Sequence, residues 1–168
     1  MDANALRQMQ APFKERYRHE PGAAVITLKA EGAIGEGATC SVQTAKALVE
    51  AGLHPATGGS GLQACSGDML LEALAACAGV TLAAVATALE IPLRSGKVLV
   101  EGDLDFRGTL GVAKDAPVGF NDIRLRFELD SDASNEQLAT LIKLTERYCV
   151  VYQTLRNPPP VQIATSAA

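Results

Sequence analysis

Aromatic side chains are scarce in this chain of 168 residues. They make up 4 % of it and include no tryptophan, although 48 % of the residues are hydrophobic. Alanine, valine and leucine therefore supply most of the apolar content. Such small side chains let helices pack closely but fill little volume, so a protomer built from them benefits from a partner that completes its core. We expect one domain that forms an oligomer.

Basic residues are neither abundant nor clustered. Fifteen Lys and Arg stand against 19 Asp and Glu, which gives a formal net charge of −4. No basic stretch interleaved with aromatics occurs, so nucleic acid is not an expected partner. The N-terminus lacks a charged and apolar leader, and Glu72 interrupts the most apolar segment, 69–89. We therefore expect a soluble, cytoplasmic protein that does not span a membrane.

The four cysteines and two histidines lack the spacing of a metal site. Neither CxxC nor HxxxH occurs, and His19 and His54 lie in separate segments. We expect no metal and no other cofactor. In a cytosolic chain, four cysteines are more typical of free or catalytic thiols than of structural disulfides. A hydrolase with Cys77 as nucleophile and His54 as base is an alternative that nothing in the spacing favours.

Hydrophobic periodicity predicts several strands. Residues 1–12 are polar and unpatterned, so we treat them as an extension of a single domain over 13–164. A loop-rich crossing with five glycines precedes the central helix. The predicted strands are a hairpin of 13–18 and 24–30, a short strand in 37–45, an antiparallel pair in 97–106 and 120–130, and a short last strand at 161–165.

Two long helices are predicted between and after these strands. The first has Ser66 as its N-cap and ends before Pro92; it is apolar nearly all round, which predicts a central buried helix. The second opens with a capping box at Ser134 and runs to about Arg156. The order of strands, helix, strands and helix is typical of an α+β fold in two layers.

Cys77 and Cys149 are the candidate functional thiols. Cys77 lies midway in the central helix, where alanines and Gly79 leave space beside the sulfur for another backbone or a small molecule. Cys149 lies in the second helix on a more polar face. Each is also explained as a small buried hydrophobic residue, because free cysteine is commonly buried.

The other two cysteines are weaker candidates. Twelve residues of helix separate Cys65 from Cys77, a rise of about 18 Å, whereas a disulfide needs Cα atoms within about 7 Å. A bridge between them within one chain is therefore excluded. Cys65 keeps a minor redox role because it lies near a helix N-terminus. Cys40 falls in a short strand and is interpreted as structural.

Two segments carry a resemblance to a known family. SGDMLLEALAACAGVTL resembles the central helix of the OsmC/Ohr family (osmotically inducible protein C-like and organic hydroperoxide resistance-like proteins), and ERYCVVYQTL resembles its second-cysteine helix. The similarity covers roughly 13–164. It implies an intertwined homodimer with an α+β fold of antiparallel sheets and two long helices.

The resemblance also implies a thiol-dependent peroxidase that reduces organic hydroperoxides. Cys77 would be the peroxidatic thiolate, and Cys149 the resolving thiol that closes a disulfide. An external dithiol, in several family members a lipoylated protein, would then reduce that disulfide. Departures from the family pattern are Val150, where other members have proline after the second cysteine, and Asp68, where glutamate is common.

A thiol buried in the middle of a helix should have a raised pKa, so we expect a cation to reach Cys77. The resemblance implies an arginine from the N-terminal hairpin, here Arg16 or Arg18, held by the acid at the helix start, here Asp68. Nine residues of helix put Asp68 about 13 Å from Cys77 and on the opposite face. Either the acid acts across a dimer, or Asp68 only caps its helix.

Two alternatives to catalysis remain open on the same fold. The first is a protein that binds an apolar small molecule in the space near Cys77. The second is a thiol redox sensor that is oxidised without turnover.

Overall fold

The fold is described here from a computed structural model, whose described residues are 2–25, 27, 32–34, 39–43, 48–111 and 113–166, with 21–22, 32–34 and 39–43 described by their backbone alone. Helices and strands alternate along the chain as an α+β arrangement. Two antiparallel sheets are present in this part of the chain, one of three strands and one of two.

The N-terminal segment is helix α1 (Ala3–His19), and it passes through the predicted boundary after residue 12. The Asp2 carboxylate caps it by accepting a hydrogen bond from the Ala5 N–H at 2.7 Å. The predicted strand at 13–18 was therefore wrong. Side chains of this segment pair one helical turn apart, as Glu15 does with His19 at 2.8 Å, and such pairs stabilise a helix. The predicted partner strand at 24–30 falls largely outside the described residues.

The first sheet joins strands β1 (Gly32–Ile34), β2 (Thr39–Gln43) and β3 (Leu48–Gly52) in that order. Strand β2 confirms the short strand predicted around Cys40, whereas β3 lies in the segment interpreted as a loop-rich crossing. Backbone hydrogen bonds from the Gly52 N–H to the Ala64 carbonyl and from the Ala64 N–H to the Glu50 carbonyl, each 3.0 Å, anchor the next helix to this sheet.

Helix α2 (Ser66–Ala88) is the predicted central helix, but its N-cap is Cys65 rather than Ser66. Its buried residues form one stripe four residues apart: Leu74, Ala78, Leu82 and Ala86. In the single chain this stripe is buried, whereas Val80 on another face of the helix is 73 % exposed. By length and composition, α2 is the one described helix that could cross a membrane, a test that the core helices of soluble proteins also pass.

The second sheet confirms the predicted antiparallel pair. Strand β4 (Ser95–Leu104), a short helix α3 (Phe106–Thr109) and strand β5 (Phe120–Asp130) follow one another, with Val100 opposite Leu125. Apolar side chains on one face of this sheet pack against α2. The other face is charged: Arg124 pairs there with Asp103, Asp122 and Glu101.

The last helical segment is divided in two. Helix α4 (Asn135–Tyr148) opens with the predicted capping box of Ser134 and Gln137, and helix α5 (Val150–Arg156) follows it. One continuous helix was therefore the wrong prediction, because Cys149 has an extended backbone at ψ 108°. The predicted strand at 161–165 is also absent: these residues are in no strand, and Ile163 is 91 % exposed.

Candidate active site: two thiols at a helix break

The fold brings Cys77 and Cys149 together. Cys77 is on α2, Cys149 is at the break between α4 and α5, and α2 packs against both of those helices. Cys77 packs against the core cluster that contains Cys149, each thiol shifts the pKa of the other, and both are free thiols. The sequence predicted these two residues as the pair, although it placed Cys149 inside a helix rather than at a break.

The two thiols differ in burial. Cys149 is 1 % exposed and lies in a core cluster with Leu74 and Ala78, whereas Cys77 is half-buried at the edge of that cluster. Gly79 does not open the space that the sequence suggested, because a Cβ built on it would lie 3.5 Å from the Val98 side chain of β4. A cavity of about 260 Å³ is found instead between β5 and α5, and Leu74 and Leu155 help to line it.

The helix break supplies hydrogen-bond donors. The Cys149 N–H donates to the Thr145 carbonyl and closes α4, while the Cys149 carbonyl accepts from the Gln153 N–H and opens α5, each at 2.9 Å. The first N–H groups of a helix have no carbonyl partner within it. At this break the N–H groups of Val150 and Val151 lie near enough to the Cys77 sulfur to lower the pKa of its thiol.

These donors set the acidity of Cys77. Burial is the largest single influence and raises the pKa of its thiol, but the hydrogen bonds together outweigh it, so the pKa of Cys77 lies below its ordinary value. Hydrogen bonds to the charged form stabilise that form. The donors, in decreasing order of effect, are the Val151 N–H, the Cys149 thiol, the Val150 N–H and the Thr81 hydroxyl.

Cys149 is affected in the opposite direction. Burial raises the pKa of its thiol, and the neighbouring Cys77 raises it further. Hydrogen bonds from the Tyr152 and Val151 N–H groups lower that pKa but do not outweigh burial. The pair therefore consists of one thiol inclined to ionise and a second inclined to keep its proton.

The predicted charged residues do not join this pair within one chain. Arg16 and Arg18 lie on α1 rather than on a strand, where Arg16 pairs with the C-cap residue Glu20 and Arg18 pairs with Glu15. Asp68 is exposed in the first turn of α2, nine residues before Cys77. A role for any of the three across a dimer stays a prediction.

Three donors to Cys77 were not among the predicted site residues. Thr81 could have been found, because it lies one helical turn after Cys77. The N–H groups of Val150 and Val151 could not, because nothing in a sequence indicates which backbone groups a helix break leaves without partners. Among the described residues, no group of three or more His, Cys, Asp and Glu side chains could hold a metal ion.

The fold and the site together define a class: an α+β protein with two free thiols in contact between a central helix and a helix break. A family model described as OsmC-like protein matches residues 59–164. The chain therefore belongs to the OsmC-like family. A search of curated proteins gives no match.

Solved structures share this fold at low sequence identity. An OsmC-like protein from Mycoplasma pneumoniae superposes with a TM-score of 0.66 at 19 % identity, covering 79 % of this chain and 89 % of that one. An organic hydroperoxide resistance protein OsmC from Legionella pneumophila gives 0.62 at 16 %, with 80 % and 92 % covered. The organic hydroperoxide resistance protein from Elizabethkingia anophelis gives 0.63 at 15 %, with 80 % and 91 % covered.

Proposed function

We propose that this protein is a thiol peroxidase that reduces organic hydroperoxides with Cys77 and Cys149. The observation that carries the proposal is the contact of two free thiols whose pKa values are shifted in opposite directions. Family membership and the names of two similar structures, both organic hydroperoxide resistance proteins, support the hydroperoxide as substrate class.

The first step is attack by the Cys77 thiolate on the terminal oxygen of the hydroperoxide. The O–O bond breaks, the alkoxide takes up a proton and leaves as the alcohol, and Cys77 becomes a sulfenic acid. The lowered pKa of Cys77 favours this step, since the thiolate is the nucleophile. The hydrogen bonds from α5 and Thr81 supply the stabilisation that the sequence had assigned to an arginine.

The second step uses Cys149. Its sulfur attacks the sulfenic acid, a disulfide forms, and the hydroxyl leaves as water with the proton of the Cys149 thiol. Contact between the two side chains makes this condensation fast relative to further oxidation by a second hydroperoxide. An external dithiol then reduces the disulfide. We place this cycle in the cytoplasm, where thiols are kept reduced, and in a homodimer.

The test is consumption of cumene hydroperoxide with dihydrolipoamide as reductant. Wild type should turn over and lose two titratable thiols when the reductant is omitted. Cys77→Ser should abolish turnover, and Cys149→Ser should allow one turnover followed by sulfinic acid at Cys77. The matched control is Cys65→Ser, which removes a free thiol outside the pair and should remain active.

Two results would count against the proposal. If cumene hydroperoxide leaves both thiols titratable, the protein does not react with organic hydroperoxides. If the disulfide forms but no dithiol restores the thiols, the protein is a sensor without turnover.

A further inference from the structure

A polar groove lies over the break between α4 and α5, next to Cys149. Its volume is about 320 Å³. Both helices contribute to its lining, which consists of Lys143, Glu146, Arg147, Tyr152, Gln153, Arg156 and Asn157. The Gln153 side chain crosses the break and donates to the Glu146 carbonyl at 2.7 Å, which fixes the two helices relative to each other.

The groove holds more basic than acidic side chains. Among the described residues, seven of the nine arginines pair with a carboxylate within 4 Å, and the two that do not, Arg147 and Arg156, both line this groove. Lys143, one helical turn before Arg147, likewise has no carboxylate that close among the described residues. Three cations therefore face one acid, Glu146, in a protein whose net charge is −4.

Tyr152 connects the groove to the resolving thiol. Its backbone N–H lowers the pKa of the Cys149 thiol, and its side chain packs against the core cluster that contains Cys149. The same side chain lines the groove. A molecule bound in the groove is therefore separated from Cys149 by a single residue.

The position of the groove beside Cys149 matters for the thiol–disulfide exchange that reduces the disulfide. A reductant can attack either sulfur of the disulfide, and exchange is faster when the released thiol has the lower pKa. Cys77 is that thiol, so the reductant should attack the Cys149 sulfur and release Cys77 as a thiolate. The entering sulfur thus approaches the cysteine that lies beside the groove.

We propose, resting on the proposed function, that Lys143, Arg147 and Arg156 bind an anionic group of the dithiol that reduces the Cys77–Cys149 disulfide. One thiolate of the dithiol attacks the Cys149 sulfur, and the disulfide bond breaks with the electron pair leaving on Cys77. The second thiol of the reductant then attacks the mixed disulfide and releases Cys149. Two electrons and two protons pass to the protein, and the reductant leaves as its cyclic disulfide.

The experiment compares two reductants that differ in charge but not in their dithiol. The disulfide is formed chemically with diamide, and its reduction is followed with dihydrolipoate, which carries a carboxylate, and with the neutral dihydrolipoamide. We expect the wild-type rate constant for dihydrolipoate to be about tenfold higher than that for dihydrolipoamide, although the negative net charge of the protein repels the dihydrolipoate carboxylate. The preference for dihydrolipoate over dihydrolipoamide should weaken as the salt concentration is raised.

The test variant is Lys143→Gln with Arg147→Gln and Arg156→Gln. It should bring the ratio of the two rate constants to about one and leave the rate with dihydrolipoamide unchanged. The control is Lys97→Gln with Lys114→Gln and Arg126→Gln, three exposed cations that do not line the groove, which changes the net charge equally. This control should keep the wild-type ratio.

The outcomes separate the two proposals. Equal rates with both reductants in wild type, or the same loss of preference in both triple variants, would overturn the role of the groove and leave the peroxidase intact. If cumene hydroperoxide never forms the disulfide, the peroxidase proposal fails. The ratio measured on diamide-oxidised protein still decides whether the groove selects an anion.

Discussion

At the scale of single residues, Cys77 and Cys149 differ in the balance between burial and hydrogen bonding at their sulfur atoms. The donors around Cys77 outweigh the effect of burial on its pKa, whereas at Cys149 burial prevails. Thr81 contributes a side-chain hydroxyl, which lowers the pKa of Cys77. Other threonines in the helices, Thr87 and Thr145, donate instead to the carbonyl four residues earlier, each at 2.8 Å.

Thr81→Val should therefore raise the pKa of Cys77. Valine keeps the shape of the side chain and removes the donor, so the thiolate loses about 1 kcal/mol and its alkylation at pH 7 slows about fivefold. The measurement is the pH dependence of iodoacetamide labelling at Cys77, followed by peptide mass spectrometry. Thr81→Ser should retain the wild-type profile, and Thr87→Val serves as the control. An unchanged profile in Thr81→Val would show that this hydroxyl does not stabilise the thiolate.

The sequence identified both cysteines but not the origin of the acidity of Cys77. A charge near a thiol can be sought among Arg and Lys residues, and Arg16 and Arg18 were the candidates. Backbone N–H groups occur at every residue except proline, so their role emerges only when the fold leaves two of them without carbonyl partners and aims them at one sulfur.

At the scale of elements, the break between α4 and α5 holds Cys149 and also turns N–H groups towards Cys77. Val150 is the first residue of α5 and is 70 % exposed. Cys149 before it has φ −72° and ψ 108°, which is the conformation that a residue before proline favours. Position 150 therefore accommodates proline, which is common at the first position of a helix.

Val150→Pro should keep the fold and, at the same time, destabilise the thiolate of Cys77. We expect its free energy of unfolding to stay within about 1 kcal/mol of wild type, because proline fits the backbone and restricts the unfolded chain. The Val150 N–H to Cys77 is lost, so the pKa of Cys77 should rise. Urea denaturation and the pH profile of Cys77 alkylation measure the two effects.

Val150→Ala is the matched control, since it removes the same side chain but keeps the N–H. If the proline and alanine variants give the same alkylation profile, the Val150 N–H does not stabilise the thiolate.

The elements that the sequence predicted correctly are those whose pattern is strong and local. Strand β5 alternates apolar and charged residues from Ile123 to Asp130, β4 does so less regularly, and the capping box of α4 involves residues three apart. Helix α1 was missed because residues 1–12 were interpreted as unpatterned and 13–18 as a strand, whereas ion pairs of Glu15 with Arg18 and His19 stabilise the helix beyond Pro12. The break at Cys149 has no local signal beyond two adjacent β-branched valines.

At the scale of the whole molecule, α2 has a face that the other described parts of the chain leave uncovered. Leu70 is 37 % exposed and Val80 is 73 % exposed, on a helix with few polar residues. Uncovered apolar faces of this kind are typical of protein interfaces. We propose that a second copy of the chain covers this face, as expected from the small side chains of the core.

Val80→Glu should dissociate this homodimer. A carboxylate at a buried interface position loses its hydration without gaining a partner, whereas the isolated helix tolerates glutamate well. Sedimentation equilibrium should give twice the 17.5 kDa chain mass for wild type and a single chain mass for the variant.

The control for this experiment is Leu62→Glu. Leu62 is 88 % exposed in the loop before α2, so its replacement should leave the dimer intact. A monomeric wild-type protein would contradict the proposed homodimer, and a dimeric Val80→Glu protein would place its interface elsewhere.

The position of the two cysteines along the chain has a thermodynamic consequence. A disulfide between them would tie together the ends of residues 78–148, a segment that contains the whole second sheet and α4. Closing a loop of that length removes conformational entropy from the unfolded chain, worth about 4 kcal/mol of folding stability. Each catalytic cycle would thus switch the protein between a disulfide-bonded form and a less stable reduced form. Its resistance to proteolysis would therefore depend on the fraction of the protein that is oxidised.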